Sequence, residues 1–194
     1  MRQVPAKLAA KLYGAAELIA ERGIGDAKID EIAEAAGIPR ATLYYYFTGK
    51  DEILAFLLHD MLDLVAGEVG TAVAGTGTAR DRLKAVVGAQ LSVMLENPAV
   101  CRALVGELGR ASRLPDLAKA LQMAFHEPVE RLLEEGVEDG TLRKLDNPFA
   151  AALSVFGAVT VAGLTHAVAG LSSDPATVAN EVCDVILGGL QTET

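Results

Sequence analysis

Between Lys28 and Lys50 the chain gathers the side-chain types that contact nucleic acid. Arg40, Thr42 and three consecutive tyrosines, Tyr44, Tyr45 and Tyr46, fall within one short stretch, with Lys28 before it and Lys50 after it. An arginine near a helix start can read guanine through paired donors. A threonine hydroxyl can reach a base or a phosphate, and a tyrosine can pack on the sugar-phosphate backbone or donate to it. Lys28, a cation at a groove-facing helix start, can approach phosphate. The tyrosines could instead be core aromatics of an ordinary helix. Consecutive helical residues point about 100° apart, however, so at most one or two of the three can face one core.

The elements that must position these residues are legible in the spacing. Ile29, Ile32, Ala33 and Ala36 recur at three and four residues, with Asp30 and Glu31 in the first turn, where the helix dipole favours negative charge. Gly37 suits the left-handed residue that ends a helix, Ile38 can plug the angle that follows, and Pro39 opens a second helix. That helix is expected from about Arg40 to Phe47, with Leu43 and Phe47 facing inward. Two short helices joined by a glycine-containing turn make a helix-turn-helix, whose second helix lies in the DNA major groove. An earlier helix, expected from Pro5 to Arg22 and stopped by Gly23, buries Leu8, Leu12, Ala15, Ala16 and Ile19 and supplies the third wall.

The segment KLYGAAELIAERGIGDAKIDEIAEAAGIPRATLYYYFTGKDEIL resembles the N-terminal DNA-binding domain of the TetR/AcrR family of bacterial transcriptional regulators. The agreement lies in AAELIAERG, IAEAAGI, TLYYYF and a lysine followed by acidic and apolar residues, over about the first quarter of the chain. The resemblance implies base contacts from Arg40, Ala41 and Tyr44 and backbone contacts from Thr42, Tyr46 and Lys50. Three positions depart from the family pattern: Lys28 and Pro39 stand where Ser or Thr is usual, and Gly49 where a Ser usually precedes the lysine. These departures bear on single phosphate contacts rather than on the fold.

The chain has 194 residues, 51% of them hydrophobic, with no tryptophan. Helix formers prevail and no alternating strand run stands out, so the class is all-α. The resemblance implies a three-helix helix-turn-helix domain at 1–48 and a larger helical ligand-binding and dimerisation domain at 49–194. A net charge of −9 at first opposes nucleic-acid binding. Its distribution does not. The first 50 residues hold seven Lys/Arg against six Asp/Glu, and the other 144 hold ten against twenty. Arg2, Lys7 and Lys11 add positive charge in front. Two isolated cysteines, Cys101 and Cys183, read as reduced, buried small residues, and with no secretory signal visible a cytoplasmic location is expected. Phe149 to Leu171 is an uncharged run of 23 residues, long enough to cross a bilayer. Ser154, Thr160, Thr165 and His166 lie within it, and a buried helix of a helical dimer has the same hydropathy, so no membrane partner is expected.

In the larger domain, a long helix from Lys50 to about Val73 carries Ile53, Leu57, Met61, Leu64, Val65 and Val69 on one side. In the resembling family it links the DNA-binding head to the body. A capping box Thr78–Asp81 opens the next helix, with Leu83, Val87, Gln90, Leu91 and Met94 inward and a stop at Asn97–Pro98. A short helix from Ala99 to Gly109 follows. Another runs from Pro115 to Glu135, with Leu117, Leu121, Phe125, Val129 and Leu132 inward and a kink at Pro128. Asp146 is expected to cap an apolar helix at Pro148–Ala169. Asp174–Pro175 opens the last helix, striped by Val178, Val182, Val185, Ile186 and Leu190.

Small residues recur at every fourth position of the apolar helix: Ala150, Ser154, Ala158, Ala162, then His166 and Gly170. Such a row can be alanine-rich filler or a helix–helix seam. The resemblance favours the seam, since the family dimerises through its last two helices. Ser154, Ala158, Ala162, His166, Val182 and Ile186 are then the interface of a homodimer. Gln90, His126 and Thr160 put polar atoms on apolar faces. Each can be a satisfied core residue; together with Met94, Phe125 and Phe156 they can line a ligand cavity, which the family keeps in this helical body.

The expected function is a dimeric transcriptional regulator, a repressor on a palindromic double-stranded operator released by a small, mainly apolar effector. A protein of the same fold with no small-molecule inducer is one alternative. A helical enzyme or carrier is another, with little support: His59, His126 and His166 lie far apart without metal-ligand spacing, and no phosphate loop or nucleophile motif is present. No catalytic residue, metal ligand or cofactor is therefore expected.

Overall fold

A computed structural model describes residues 3–106, 115–169 and 174–188. Arg2, the expected helix end at Gly109, and Gly170, Leu171 and Leu190 lie outside the described residues. Among the described residues the chain is helical and contains no strand. It divides into two compact units, one of residues 1–61 with 99–117 and one of 62–98 with 118–194.

The first unit begins with α1 (Ala6–Leu12), a 3-10 turn at Tyr13–Ala15 and α2 (Ala16–Asp26). The helical path breaks at Gly23, whose φ of 74° favours glycine. A Cβ on Gly14 would stand 3.1 Å from the Ala35 carbonyl oxygen, so its absence lets the first helix approach the third closely. α3 (Ile29–Ala35) ends at Gly37, φ 59°, and α4 (Arg40–Tyr46) follows Pro39. Leu12, Ile19, Ile24, Ile32, Ile38, Leu43 and Phe47 fill the space between them, all buried. Burying a side chain of this size stabilises by roughly 1.5–3 kcal/mol, so these few residues carry the small unit. The first half of α5 (Lys50–Val73) continues that core through Ile53 and Leu57, and the Phe56 ring meets Phe47 at 5.7 Å between centroids. Thr48 donates to the Glu52 carboxylate through both its N–H (2.6 Å) and its hydroxyl (2.8 Å), which fixes the start of α5. Tyr13 Oη donates to Asp60 at 2.8 Å, and burial, with Asp60 beside it, pushes that phenol well above its ordinary value. In α7 (Pro98–Gly106), Arg102 pairs with Glu17 of α2.

The second unit is organised around α6 (Ala79–Glu96), which packs against α9 (Glu127–Glu138), α10 (Pro148–Ala169) and α11 (Pro175–Gly188). Leu83, Val87, Gln90, Leu91 and Met94 face inward as their spacing predicts. Thr78 and Asp81 form the expected capping box, the Asp81 backbone N–H donating to Thr78 Oγ1 at 3.2 Å. A distant residue completes that helix end: Asp139 accepts from the Ala79 N–H at 2.9 Å. Asp174 caps α11 by accepting from Thr177 N–H at 3.1 Å. Cys101 and Cys183 are buried free thiols, and desolvation pushes each up to about 11.

Four expectations need correction. Asn147, not Asp146, caps α10: its Oδ1 accepts the Ala150 N–H at 3.0 Å, the reach an N-cap has to the third helical residue. Leu64 is exposed, because the inward side of α5 there is taken by Met61, Leu62 and Val65. Val185 is exposed too, since Val178, Ala179, Cys183 and Leu187 form the buried side of α11. The helix expected from Pro115 to Glu135 is not a single kinked rod. α8 (Pro115–Leu121) passes through a π-helical turn at Gln122–His126 into α9, and Pro128 then sits in the first turn of α9, where a missing N–H is tolerated.

The Asp139 cap has a testable consequence. Its carboxyl is held below the ordinary aspartate range, first by the Thr141 hydroxyl and then by the Ala79 N–H. A carboxylate depressed by folding stabilises fully above its unfolded pKa and loses that contribution as pH falls through the lower folded value. Asp139→Ala should therefore lower the melting temperature at neutral pH, and the gap from wild type should narrow in melts taken toward about pH 3. A gap independent of pH would assign the stabilisation to something other than the carboxylate.

Candidate functional site

α4 is a seven-residue helix whose buried side is Leu43, followed by Phe47 just beyond its end. Every other position is available. Arg40, Ala41, Tyr44 and Tyr45 are exposed, and Thr42 and Tyr46 are half-buried. The Tyr45 and Tyr46 rings meet edge to face at 4.9 Å. Arg40 is held in a fork by Asp30 of α3: Nε lies 2.8 Å from Oδ1 and Nη1 2.9 Å from Oδ2. Its guanidinium carbon stands 5.4 Å from the centre of the Tyr44 ring. The helix thus presents a preset arginine and an aromatic surface, held by a core it shares with α1, α2 and α3.

Lys28 is exposed at the start of α3, and its backbone N–H donates to Glu31 Oε2 at 3.0 Å. Arg22 holds the other oxygen of that carboxylate at 2.8 Å. The Lys28 backbone bond first, then Arg22, keep Glu31 below the usual glutamate range. Lys50 is occupied differently from expectation. Its Nζ donates to the carbonyls of Gly25 and Ala27, the latter at 3.0 Å, and so ties the start of α5 to the loop before α3. With three N–H groups it keeps one beyond these two carbonyls. Lys28, Tyr44, Thr48 and Lys50 border a shallow concavity of about 550 Å³ in this unit.

In the second unit the six expected ligand residues come together between α6, the π-helical turn and α10. Gln90 is 1% exposed and His126 7%. Gln90 Nε2 donates to the Ala124 carbonyl at 3.5 Å. The Phe125 and Phe156 rings meet at 5.3 Å, and His126 packs on Phe149 at 4.5 Å. Met94 lies against Gly163, where an added Cβ would come within 2.7 Å of Met94 Cε. Gln90 Oε1, His126 Nε2 and Thr160 Oγ1 are buried without a hydrogen-bond partner. A separate open groove of about 770 Å³ runs between the second half of α5 and α9, with Val69, Val73, Met123 and Pro128 on its floor and Glu127, Glu130 and Glu134 at its edge. None of the six expected ligand residues lines it, and the apolar periodicity gave no sign of it.

α10 is long and apolar enough to cross a membrane by composition, yet only 22% of its most apolar window is buried. Ala152, Val155, Val159, Gly163 and Ala167 face the unit's interior. Leu153, Val161 and Val168 are exposed, as is Val185 on α11. The row of small residues runs obliquely. Ser154 is exposed and donates to the Ala150 carbonyl, while Ala158, Ala162 and His166 are half-buried. A four-residue step advances 400°, so each member lies about 40° further round than the last. Val182 and Ile186 are half-buried on α11.

Residues 12–56 match the family model for bacterial regulatory proteins of the tetR family, and residues 76–190 match the tetracyclin repressor-like C-terminal domain. The chain belongs to the TetR family. It is 21% identical over 194 residues to the fatty acid metabolism regulator protein of Bacillus subtilis, covering all of both chains. Its fold resembles that of the ketosteroid transcriptional regulator KstR2 of Mycobacterium tuberculosis, with a TM-score of 0.81 at 22% identity over 98% of each chain. It also resembles AibR in complex with isovaleryl coenzyme A and operator DNA, with a TM-score of 0.73 at 20% identity over 92% of this chain and 97% of that one. As a TetR-family protein it is an all-α DNA-binding transcriptional regulator.

Two residues that the sequence did not single out bear on this site. Asp30, read only as a helix-dipole residue, orients Arg40. Asp60 takes the Tyr13 hydroxyl. Asp30→Ala should free Arg40 and remove a negative charge from beside α4. Binding to unrelated DNA should strengthen and discrimination between operator and unrelated DNA should fall, measured by fluorescence anisotropy; unchanged discrimination would show that Asp30 does not orient Arg40. Lys50→Ala should weaken DNA binding and also lower the melting temperature, since it removes two carbonyl contacts of a charged donor, by about 1 kcal/mol in all. Loss of DNA affinity with an unchanged melt would make Lys50 a phosphate ligand only.

Proposed function

We propose that this TetR-family regulator is a cytoplasmic repressor that binds a palindromic operator as a homodimer and is released by a small, mainly apolar effector. The observation that carries the DNA-binding part is the α4 surface: Arg40, Ala41 and Tyr44 exposed together on a helix pinned by Leu43 and Phe47. Arg40, Ala41 and Tyr44 read bases, while Thr42, Tyr46, Lys28 and the free N–H of Lys50 contact the backbone. Dimerisation is supported by the exposed apolar face of α10 and α11, which a second copy would cover, with Ser154, Ala158, Ala162, His166, Val182 and Ile186 along its edge. Two-fold symmetry then demands half-sites one or more helical turns apart, each turn roughly 34–36 Å. The effector enters among Gln90, Met94, Phe125, His126, Phe156 and Thr160. The relative named for fatty acid metabolism and the neighbour bound to isovaleryl coenzyme A support a lipid or acyl effector.

Selection of bound sequences from random DNA should return a palindrome, and Arg40→Ala should reduce affinity for it by on the order of tenfold or more. Val161→Arg puts a charge on the exposed face without entering the core. It should leave the fold intact by circular dichroism and convert the protein to a monomer in sedimentation; a folded dimer would remove this face from the interface. An effector that relieves repression must bind the DNA-free form better, typically by about 1–3 kcal/mol, and operator must weaken effector binding by the same factor. Calorimetry of an active compound with and without operator measures that coupling. Equal affinity in both titrations would reject release by the effector.

A further inference from the structure

The open groove of about 770 Å³ between the second half of α5 and α9 shares no residue with the effector pocket proposed above. Its form follows from the sequence on both sides. On α5, Ala66, Gly70 and Ala74 recur at every fourth position, so almost no side chain stands off that side of the helix. A Cβ on Gly70 would meet nothing within 4 Å. Val69 and Val73 beside them form an apolar floor, together with the Pro128 ring and Met123, which is 53% exposed. On α9, Glu127, Glu130 and Glu134 fall at i, i+3 and i+7, one side of the helix, while Val129, Leu132 and Leu133 are buried on the other.

The groove is thus apolar below and acidic along one edge, and the cations near it are engaged elsewhere. Arg131 lines it but lies 3.5 Å from Glu135. Arg82 donates to Glu135 at 2.6 Å and to the Val73 carbonyl at 3.4 Å. Residues 62–78 contain no Lys or Arg. Glu127 accepts from Gln122 Nε2 at 3.1 Å, and Glu130 Oε2 lies 3.7 Å from His126 Nδ1. Among the described residues no Lys or Arg pairs with any of the three edge carboxylates. We infer that this groove binds a small amphiphilic organic cation, an ammonium group on an alkyl chain. The floor takes the chain and the Glu127–Glu134 edge takes the charge. That edge spans seven residues, about 10 Å along the helix axis, and the groove lies within the roughly 300–1,000 Å³ typical of small-molecule sites. A bare metal ion fits less well: no group of three metal-ligating side chains occurs among the described residues. An anionic amphiphile would face three charges of its own sign.

Octyltrimethylammonium, octyl sulfate and octan-1-ol carry one chain with a positive, a negative and no charge. Each is titrated into the full chain below the concentration at which it aggregates, followed by calorimetry and by NMR of the methionine methyl groups. Met123 stands in the groove and Met94 against Gly163, so their signals report the groove and the effector pocket separately. We expect the cation to bind about tenfold tighter than the sulfate, or more, and to shift Met123 while leaving Met94 unmoved. A chain of net charge −9 attracts any cation, and Gly70→Leu separates that attraction from the groove. The variant fills the groove from α5, keeps every charge and raises helix propensity. It should abolish the Met123 shift. Glu127→Gln combined with Glu134→Gln should weaken the cation by about fivefold and leave octan-1-ol unaffected. Equal binding of cation and sulfate, a shift confined to Met94, or cation binding undiminished in a folded Gly70→Leu variant would each overturn the inference. Octan-1-ol binding reported by Met94 would leave the effector pocket standing in all three cases.

Discussion

A helix of seven residues has almost no stability of its own in water, since isolated helices shorter than about 12–15 residues are marginal. Everything α4 presents to DNA therefore depends on the contacts that hold it from behind. Leu43 and Phe47 supply them, against Ile32, Ile38 and the first helix, and Phe47 reaches on to Phe56 of α5. The polar ties do the finer work. Thr48 and Glu52 fix where α4 ends and α5 begins, Lys50 fastens that junction to the loop before α3, and Tyr13 fastens the first helix to Asp60. A small apolar core sets the position of the helix; exposed and half-buried hydrogen bonds tie down the chain around it.

The body of this TetR-family chain follows a different logic. α6 is the shared wall, and its Gln90 is drawn inward by a carbonyl that a proline leaves unserved. Gln90 Oε1, His126 Nε2 and Thr160 Oγ1 are buried without a partner, and such unmet groups cost free energy on the order of 1–3 kcal/mol each. A core selected only for stability would replace them with leucine or valine. Gln90 bonds to, and His126 belongs to, a π-helical turn, a feature concentrated at functional sites, which supports the proposal of an effector site there.

Much of this was legible in the sequence, and the reason is locality. The helix-turn-helix is written in residues within a span of about twenty, where Gly37, Ile38, Pro39, Leu43 and Phe47 each act on their neighbours. The inward side of α6 was legible for the same reason. What stayed hidden depends on partners far apart in the chain. Asp139 is sixty positions from the Ala79 it caps, and Asp60 is forty-seven from Tyr13. Nothing local announces that the Gly25 and Ala27 carbonyls also hold Lys50. Leu64 and Val185 were read as core because hydrophobicity marks a side chain as buriable without saying against what. Asp146 and Asn147 are both good caps, and only the backbone geometry at the start of α10 chooses between them.

Charge is unevenly distributed along the chain: the first fifty residues hold seven Lys/Arg against six Asp/Glu and the other 144 hold ten against twenty, so the acid that opposes nucleic acid lies outside the helix-turn-helix sequence. Within the first unit, Asp30 holds the Arg40 fork through two of its five N–H groups. A further donor, Nη2, reaches the Tyr44 hydroxyl at 3.5 Å, so the orientation of the guanidinium is set by neighbours within the unit. A regulator must discriminate its operator from a large excess of other sites, and affinity for phosphate alone gives no such discrimination. Under the proposed reading of bases by Arg40, the Asp30 carboxylate beside it therefore shifts the balance of binding from charge toward sequence.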